Sequence, residues 1–185
     1  MRLFIAINFS SEVKNALSET IANLRQAALQ GRFTSWDNLH LTLVFIGESN
    51  RVSDIVQIMQ EVAERCFTEP FRIALSEAGV FGGSRSRGSN RSRRAGDLHW
   101  IGIAKNDALN NLVENLSHEL KKAGLDIEKR RFVAHVTIGR EVVLPEAATV
   151  FVQPAEMLAD HISLMRSDRI DGQQVYTELA AVYCG

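Results

Sequence analysis

The sequence lacks most of the features that would announce a common chemistry. Only two of its 185 residues are cysteine, Cys66 and Cys184. Neither belongs to a CxxC pair or a Cys/His cluster, so no structural zinc site is expected, and two scattered thiols suit a reducing cytoplasm. No window approaches the ~18 apolar residues of a membrane span. The apolar start Leu3–Ile7 is too short for a secretory signal and has no small-residue cleavage site behind it. Charge of one sign is missing too: the formal net charge is −1, which gives no global field to draw in RNA or a membrane. Any anion site must therefore be built locally. There is no glycine-rich phosphate loop ending in Lys-Ser/Thr, which argues against P-loop ATP hydrolysis. A Gly-x-Ser-x-Gly nucleophile elbow is also absent.

What is present is an ordinary globular balance, 45% hydrophobic and 23% charged. A chain of this length buries a core without staples, as one domain or two small lobes. Leu3–Phe9 reads as a buried strand. Ser10 or Ser11 caps a helix whose apolar residues recur at Val13, Ala16, Leu17, Ile21, Leu24 and Ala28, and Gly31 is expected to end it. Leu39–Ile46 reads as a strand closed by Gly47. Ser53–Cys66 fits a helix with Ile55, Met59, Val62 and Cys66 inward, stopped by Pro70, and Phe71–Leu75 fits a strand. Leu98–Ala104 is a strand, and Asn106 caps a third helix with Leu109, Leu112, Val113, Leu116 and Leu120 on one face, closed by Gly124. Strands follow at Arg131–Ile138, Ile162–Arg166 and Val175–Tyr183, the last two joined by Asp171-Gly172 in a hairpin-like connection. Strands are not each followed by a helix, so the expected class is α+β with a mostly antiparallel sheet.

Gly79–Gly96 differs in kind. It is rich in Gly, Ser and Arg, with Arg85, Arg87, Arg91, Arg93 and Arg94. It cannot bury a core and reads as a long basic loop. It is either a solvated segment or a grip on RNA phosphates.

The chemistry-bearing signal is a repeat. His40-Leu41-Thr42-Leu43 recurs 95 residues later as His135-Val136-Thr137-Ile138. Side chains alternate across a strand, so each copy puts His and Thr on one face and two apolar residues on the other. One such motif on a sheet face is commonplace; two in matching contexts, one in each half, are not. Paired imidazoles suit a reaction that takes a proton from water and delivers another to a leaving oxygen near neutral pH, and a threonine hydroxyl can donate to a phosphate oxygen. Among other residues, Trp36 or Phe33 is a candidate base-stacking ring, although core packing is the commoner role for either. Trp100 reads as core, His99 as structural, His118 as solvent-facing, and His161 has no evident partner.

The chain resembles the two-histidine phosphoesterase superfamily, and within it the RNA 2',3'-cyclic phosphodiesterases once described as 2'-5' RNA ligases. The resemblance runs through Arg2-Leu3-Phe4-Ile5-Ala6, Trp36 to Glu48, Leu98 to Gly102, Arg131 to Arg140 and Leu164 to Ser167. It implies two pseudo-symmetric lobes, each a small antiparallel sheet with outer helices, with a cleft between them and the whole of residues 1–185 forming one bilobal domain. It implies His40 as proton donor to the leaving sugar oxygen and His135 as the base that activates water. Thr42 and Thr137 would hold the phosphate, with Arg140 at a substrate-contacting position. It implies a cytoplasmic, monomeric enzyme that opens the ring to a 2'-phosphate on RNA, with no metal or cofactor. The sequence departs from the family at Ala134, where relatives often carry Pro, and in the long basic segment, which bears on substrate choice. Phosphodiesterase action on 2'-5' linkages or small cyclic nucleotides, and a non-catalytic RNA-binding or ligating module, are the alternatives.

Overall fold

In the computed structural model, the described residues are 1–82, 96–128, 130–146 and 149–185. The order is β1 (Arg2–Asn8), α1 (Ser11–Ala27), β2 (Gln30–Phe33), a single 3-10 turn (Trp36–Asn38), β3 (His40–Glu48), α2 (Val52–Cys66) and β4 (Phe71–Phe81). It continues with β5 (Asp97–Ile103), α3 (Asp107–Lys122), β6 (His135–Val143), β7 (Glu156–Ala159), β8 (His161–Ile170) and β9 (Gln173–Tyr183). The strands form two sheets, one in the order β3-β1-β8-β9 and the other β2-β6-β5-β4-β7. Every strand pair is antiparallel, as the expected α+β class requires.

The two sheets share a plan. β1 leads through α1 to its antiparallel neighbour β3, and β5 leads through α3 to its antiparallel neighbour β6. Each half thus supplies one strand that begins with a histidine, and β2 is an added edge beside the second of these strands. The helices cross between halves. α1 packs against β2, β6 and β7, while α3 packs on α2 and β3, and α2 on β9. This exchange joins the inner faces of both sheets into one core. Leu3, Ile5 and Ile7 of β1, Leu41 and Leu43 of β3, and Val136 and Ile138 of β6 all lie in it with the helical stripes.

The caps account for the helix limits. The Ser10 hydroxyl accepts from the Val13 N–H and Asn106 Oδ1 accepts from Leu109 N–H, each meeting an otherwise orphan donor. All five apolar residues read on α3 are buried, a face that contributes about 1.5–3 kcal/mol per large side chain. After α3, Gly124 at φ 83° lets Gly124 N–H reach Lys121 O and Leu125 N–H reach Leu120 O, which closes the helix. Asp171 and Gly172 both have positive φ, 50° and 80°, in the two-residue turn between the paired Ile170 and Gln173.

Several boundaries differ from the sequence reading. α1 stops at Ala27, not Gly31, because Leu29 N–H is taken by Val143 O and the chain enters β2. Gly79, Val80 and Phe81 belong to β4, paired with Trp100, His99 and Leu98, so the basic loop does not start at Gly79. Its five arginines lie outside the described residues. Arg131–Ala134 precedes the strand, which starts at His135 and runs on to Val143. His161 does have partners: Asp160 Oδ1 at 2.6 Å from its Nδ1, and the Tyr183 ring. No described helix is long and apolar enough to cross a membrane.

Candidate active site

Each histidine opens its strand. His40 lies opposite Asn8 of β1, and His135 lies opposite Gly102 of β5. Two residues on, Thr42 faces Ala6 and Thr137 faces Trp100. The alternation expected from the motif is observed: Leu41, Leu43, Val136 and Ile138 are buried in the shared core, while the His and Thr positions are half-buried on the other face. β3 and β6 approach one another where the two sheets meet, with Cα atoms within 8 Å. The two motifs therefore converge, and His135 is near enough to act electrostatically on His40.

The imidazoles are held alike. His40 Nδ1 lies 2.7 Å from Asn38 O and His135 Nδ1 lies 2.7 Å from Val133 O. A carbonyl oxygen can only accept, so Nδ1 carries a proton in both rings and Nε2 is left for chemistry. Each ring also sits between two aromatics. Phe4 and Tyr176 flank His40 at centroid distances of 5.0 Å, and Phe81 and Trp100 flank His135 at 5.2 and 6.0 Å. Trp100 is thus part of the wall around His135 and not simply core. It lies flat against Gly79, where a Cβ would collide with the indole.

The two halves then diverge. Thr42 Oγ1 is 2.9 Å from His40 Nε2, so in the neutral ring the hydroxyl donates to it. Among the described residues no such bond joins Thr137 and His135. His40 is also the more deeply set. Burial pulls its pKa below the ordinary histidine value, the hydrogen bond to Asn38 opposes this, and the positive charges of Lys14, Arg140 and His135 reinforce it. Arg140 also acts on Tyr176, whose hydroxyl burial pushes upward in pKa. Its guanidinium is thus near enough to act on both His40 and Tyr176, although it belongs to β6.

On the same face of the first sheet, Asn8 Nδ2 donates to Ser163 Oγ (3.2 Å) and Glu178 Oε2 (3.0 Å), and Ser163 Oγ donates to Glu178 Oε2 (2.7 Å). Phe4, Ala6 and Met165 make a small apolar cluster there with Tyr176 against it. Sequence reasoning gave no site role to Asn8, Phe4, Tyr176, Phe81 or Lys14, of which only Phe4 lies in a segment that carries the resemblance. Their only signal is register, since Asn8 and Ala6 fall opposite the first motif. His99 is buried and His118 exposed, as read. No group of three or more His, Cys, Asp or Glu among the described residues could hold a metal ion.

A profile of the 2'-5' RNA ligase superfamily matches residues 13–171. The chain is 29% identical to an RNA 2',3'-cyclic phosphodiesterase of Thermotoga maritima, across 97% of this chain and 93% of that one. It is 30% identical to the protein of the same name from Archaeoglobus fulgidus, across 76% and 72%. The crystal structure of Escherichia coli LigT complexed with 3'-AMP superposes with a TM-score of 0.75 at 26% identity, covering 98% of this chain and 97% of that one.

Proposed function

The chain belongs to the 2'-5' RNA ligase superfamily, and from that premise we propose that it hydrolyses 2',3'-cyclic phosphates at RNA ends, leaving a 2'-phosphate and a free 3'-hydroxyl. It is an RNA 2',3'-cyclic phosphodiesterase, the activity its relatives are named for. The observation that carries the reading is the pair of matched histidines, each with Nδ1 committed to a backbone carbonyl. Two such rings supply a base and an acid at the same pH.

In the reaction, water attacks phosphorus and the bond to the 3'-oxygen breaks. His135 Nε2 takes the water proton and His40 Nε2 gives one to the leaving 3'-oxygen. Thr42 and Thr137 donate to the non-bridging oxygens, and Arg140 balances their charge. Burial holds His40 toward its neutral form in the free protein, so its proton arrives with the substrate, whose negative charge stabilises the imidazolium. The substrate is RNA or an oligonucleotide, and the 185-residue chain acts as one bilobal monomer in the cytoplasm.

The test is an assay on a short RNA ending in a 2',3'-cyclic phosphate. The expected product is solely the 2'-phosphate, and EDTA should leave the rate unchanged. A 3'-phosphate product, or no turnover by the folded protein, would refute the reading.

A further inference from the structure

A cation that the reaction above does not use stands at the same cleft. Lys14 lies in the first turn of α1, and its Nζ sits 4.4 Å from the centre of the Trp36 ring. Trp36 is in the 3-10 turn whose Asn38 carbonyl holds His40, and its own indole N–H donates to Asn15 Oδ1 of α1 at 3.2 Å. Lysine, indole and asparagine thus brace one another across two elements, and the attraction between an ammonium and an indole face fixes the charge in place.

The ammonium faces His40 closely enough to act on it electrostatically, and it is partly desolvated, with only Asp37 countering that effect. No described carboxylate pairs with it within 4.0 Å; the ion pairs among the described residues lie elsewhere. A partly desolvated, immobilised ammonium with no described carboxylate in contact is costly to maintain unless an anion arrives. Trp36 remains 42% exposed, so the approach is open.

The position selects which anion. With His40 serving the leaving sugar oxygen, its side of the cleft is the nucleoside side. The rest of an RNA chain departs from that nucleoside through its 5'-phosphate, whereas the scissile phosphate lies toward Thr42, Thr137 and Arg140. We infer that Lys14, held by Trp36, binds the phosphate on the 5' side of the terminal nucleotide, and so makes the enzyme prefer an RNA end over a bare nucleoside cyclic phosphate. This inference rests on the cyclic-phosphodiesterase reading.

The test compares uridine 2',3'-cyclic phosphate with the same compound carrying a 5'-phosphate. The native protein should prefer the second in kcat/KM by about tenfold, the size of one charged hydrogen bond at a part-exposed site. Lys14→Gln should bring that ratio close to one, Lys14→Arg should keep it, and Trp36→Ala should lower it. Any effect of Lys14 on His40 is common to both substrates and cancels in the ratio. Equal losses on both, or an unchanged ratio in Lys14→Gln, would overturn the inference. Calorimetric titration with unreactive uridine 2'-phosphate and uridine 2',5'-bisphosphate asks the same question without turnover. A failure of the hydrolytic reading is thereby distinguished from a failure at Lys14: tighter binding of the bisphosphate that Lys14→Gln abolishes supports the subsite, and equal binding of both ligands by the native protein refutes it.

Discussion

His40 and His135 stand in the same relation to their own backbones: each donates its Nδ1–H to the carbonyl two residues upstream, at 2.7 Å in both cases. The bond ties ring orientation to the residues just before the strand, Asn38 and Val133, and leaves both Nε2 atoms for proton transfer. If the two rings carry the two proton transfers, His40→Ala and His135→Ala should each lower kcat by about two to four orders of magnitude. Single-turnover hydrolysis of a cyclic-phosphate RNA measures this, with circular dichroism to verify folding. A folded mutant of either type that retains near-native rates would exclude the paired mechanism.

The threonines offer a second test, because one is engaged and the other is not. Thr42 bonds to His40 Nε2, while no matching bond exists at Thr137 among the described residues. Thr137→Val removes a donor to the phosphate alone, and a loss of about tenfold to a hundredfold in kcat/KM is expected for one hydrogen bond to a charged group. Thr42→Val removes a similar donor and also frees His40 Nε2, so it should lower kcat/KM at least as far. Thr→Ser at either position should restore most of the rate. If both valine variants turn over normally, the phosphate is held by other groups.

The parts of this fold legible in the sequence were those governed by local rules. The α3 stripe, the Ser10 and Asn106 caps and the Asp171-Gly172 turn follow from periodicity and turn chemistry. The facing of each His-Thr pair follows from strand alternation. What was not legible depends on partners distant in sequence. Gln30–Phe33 has no alternating pattern and is a strand because β6 pairs with it. Gly79 reads as loop by composition, yet it is a strand residue whose missing side chain leaves room for Trp100. Lys14 and Trp36 are unremarkable apart; only the packing of α1 against the 3-10 turn brings them together.

Gly79 supplies a third expectation. A methyl group there would enter the Trp100 ring plane from β4, and the indole in turn packs beside His135. Gly79→Ala should therefore cost about 1–3 kcal/mol of stability as an overpacked contact. It should also lower activity, since Trp100 must move in the wall around a proposed catalytic ring. Chemical denaturation and tryptophan fluorescence would register both effects. An unchanged midpoint and spectrum would show that the strands can part at no cost.

The pH dependence follows from the unequal burial of the two rings. In the proposed mechanism kcat/KM requires free enzyme with His40 protonated and His135 neutral, so the profile is a bell. The His40 pKa is depressed by burial and by the positive charges of Lys14 and Arg140, and a depressed pKa means that its proton is lost at lower pH. The limb of kcat/KM that His40 sets should then lie below the ordinary histidine value of about 6.5. Once the cyclic phosphate is bound, its negative charge favours the imidazolium, so the limb that His40 sets should lie at higher pH in kcat than in kcat/KM. Arg140→Gln and Lys14→Gln each remove a charge that opposes protonation, and both should move the kcat/KM limb upward. The measurement is a pair of profiles from pH 5 to 9 for each protein, with chemistry shown to limit the rate by single-turnover agreement. A kcat/KM profile with both limbs above neutrality and coincident with the kcat profile would mean that His40 is already charged before the substrate arrives, and the proposed coupling of its proton to phosphate binding would be wrong.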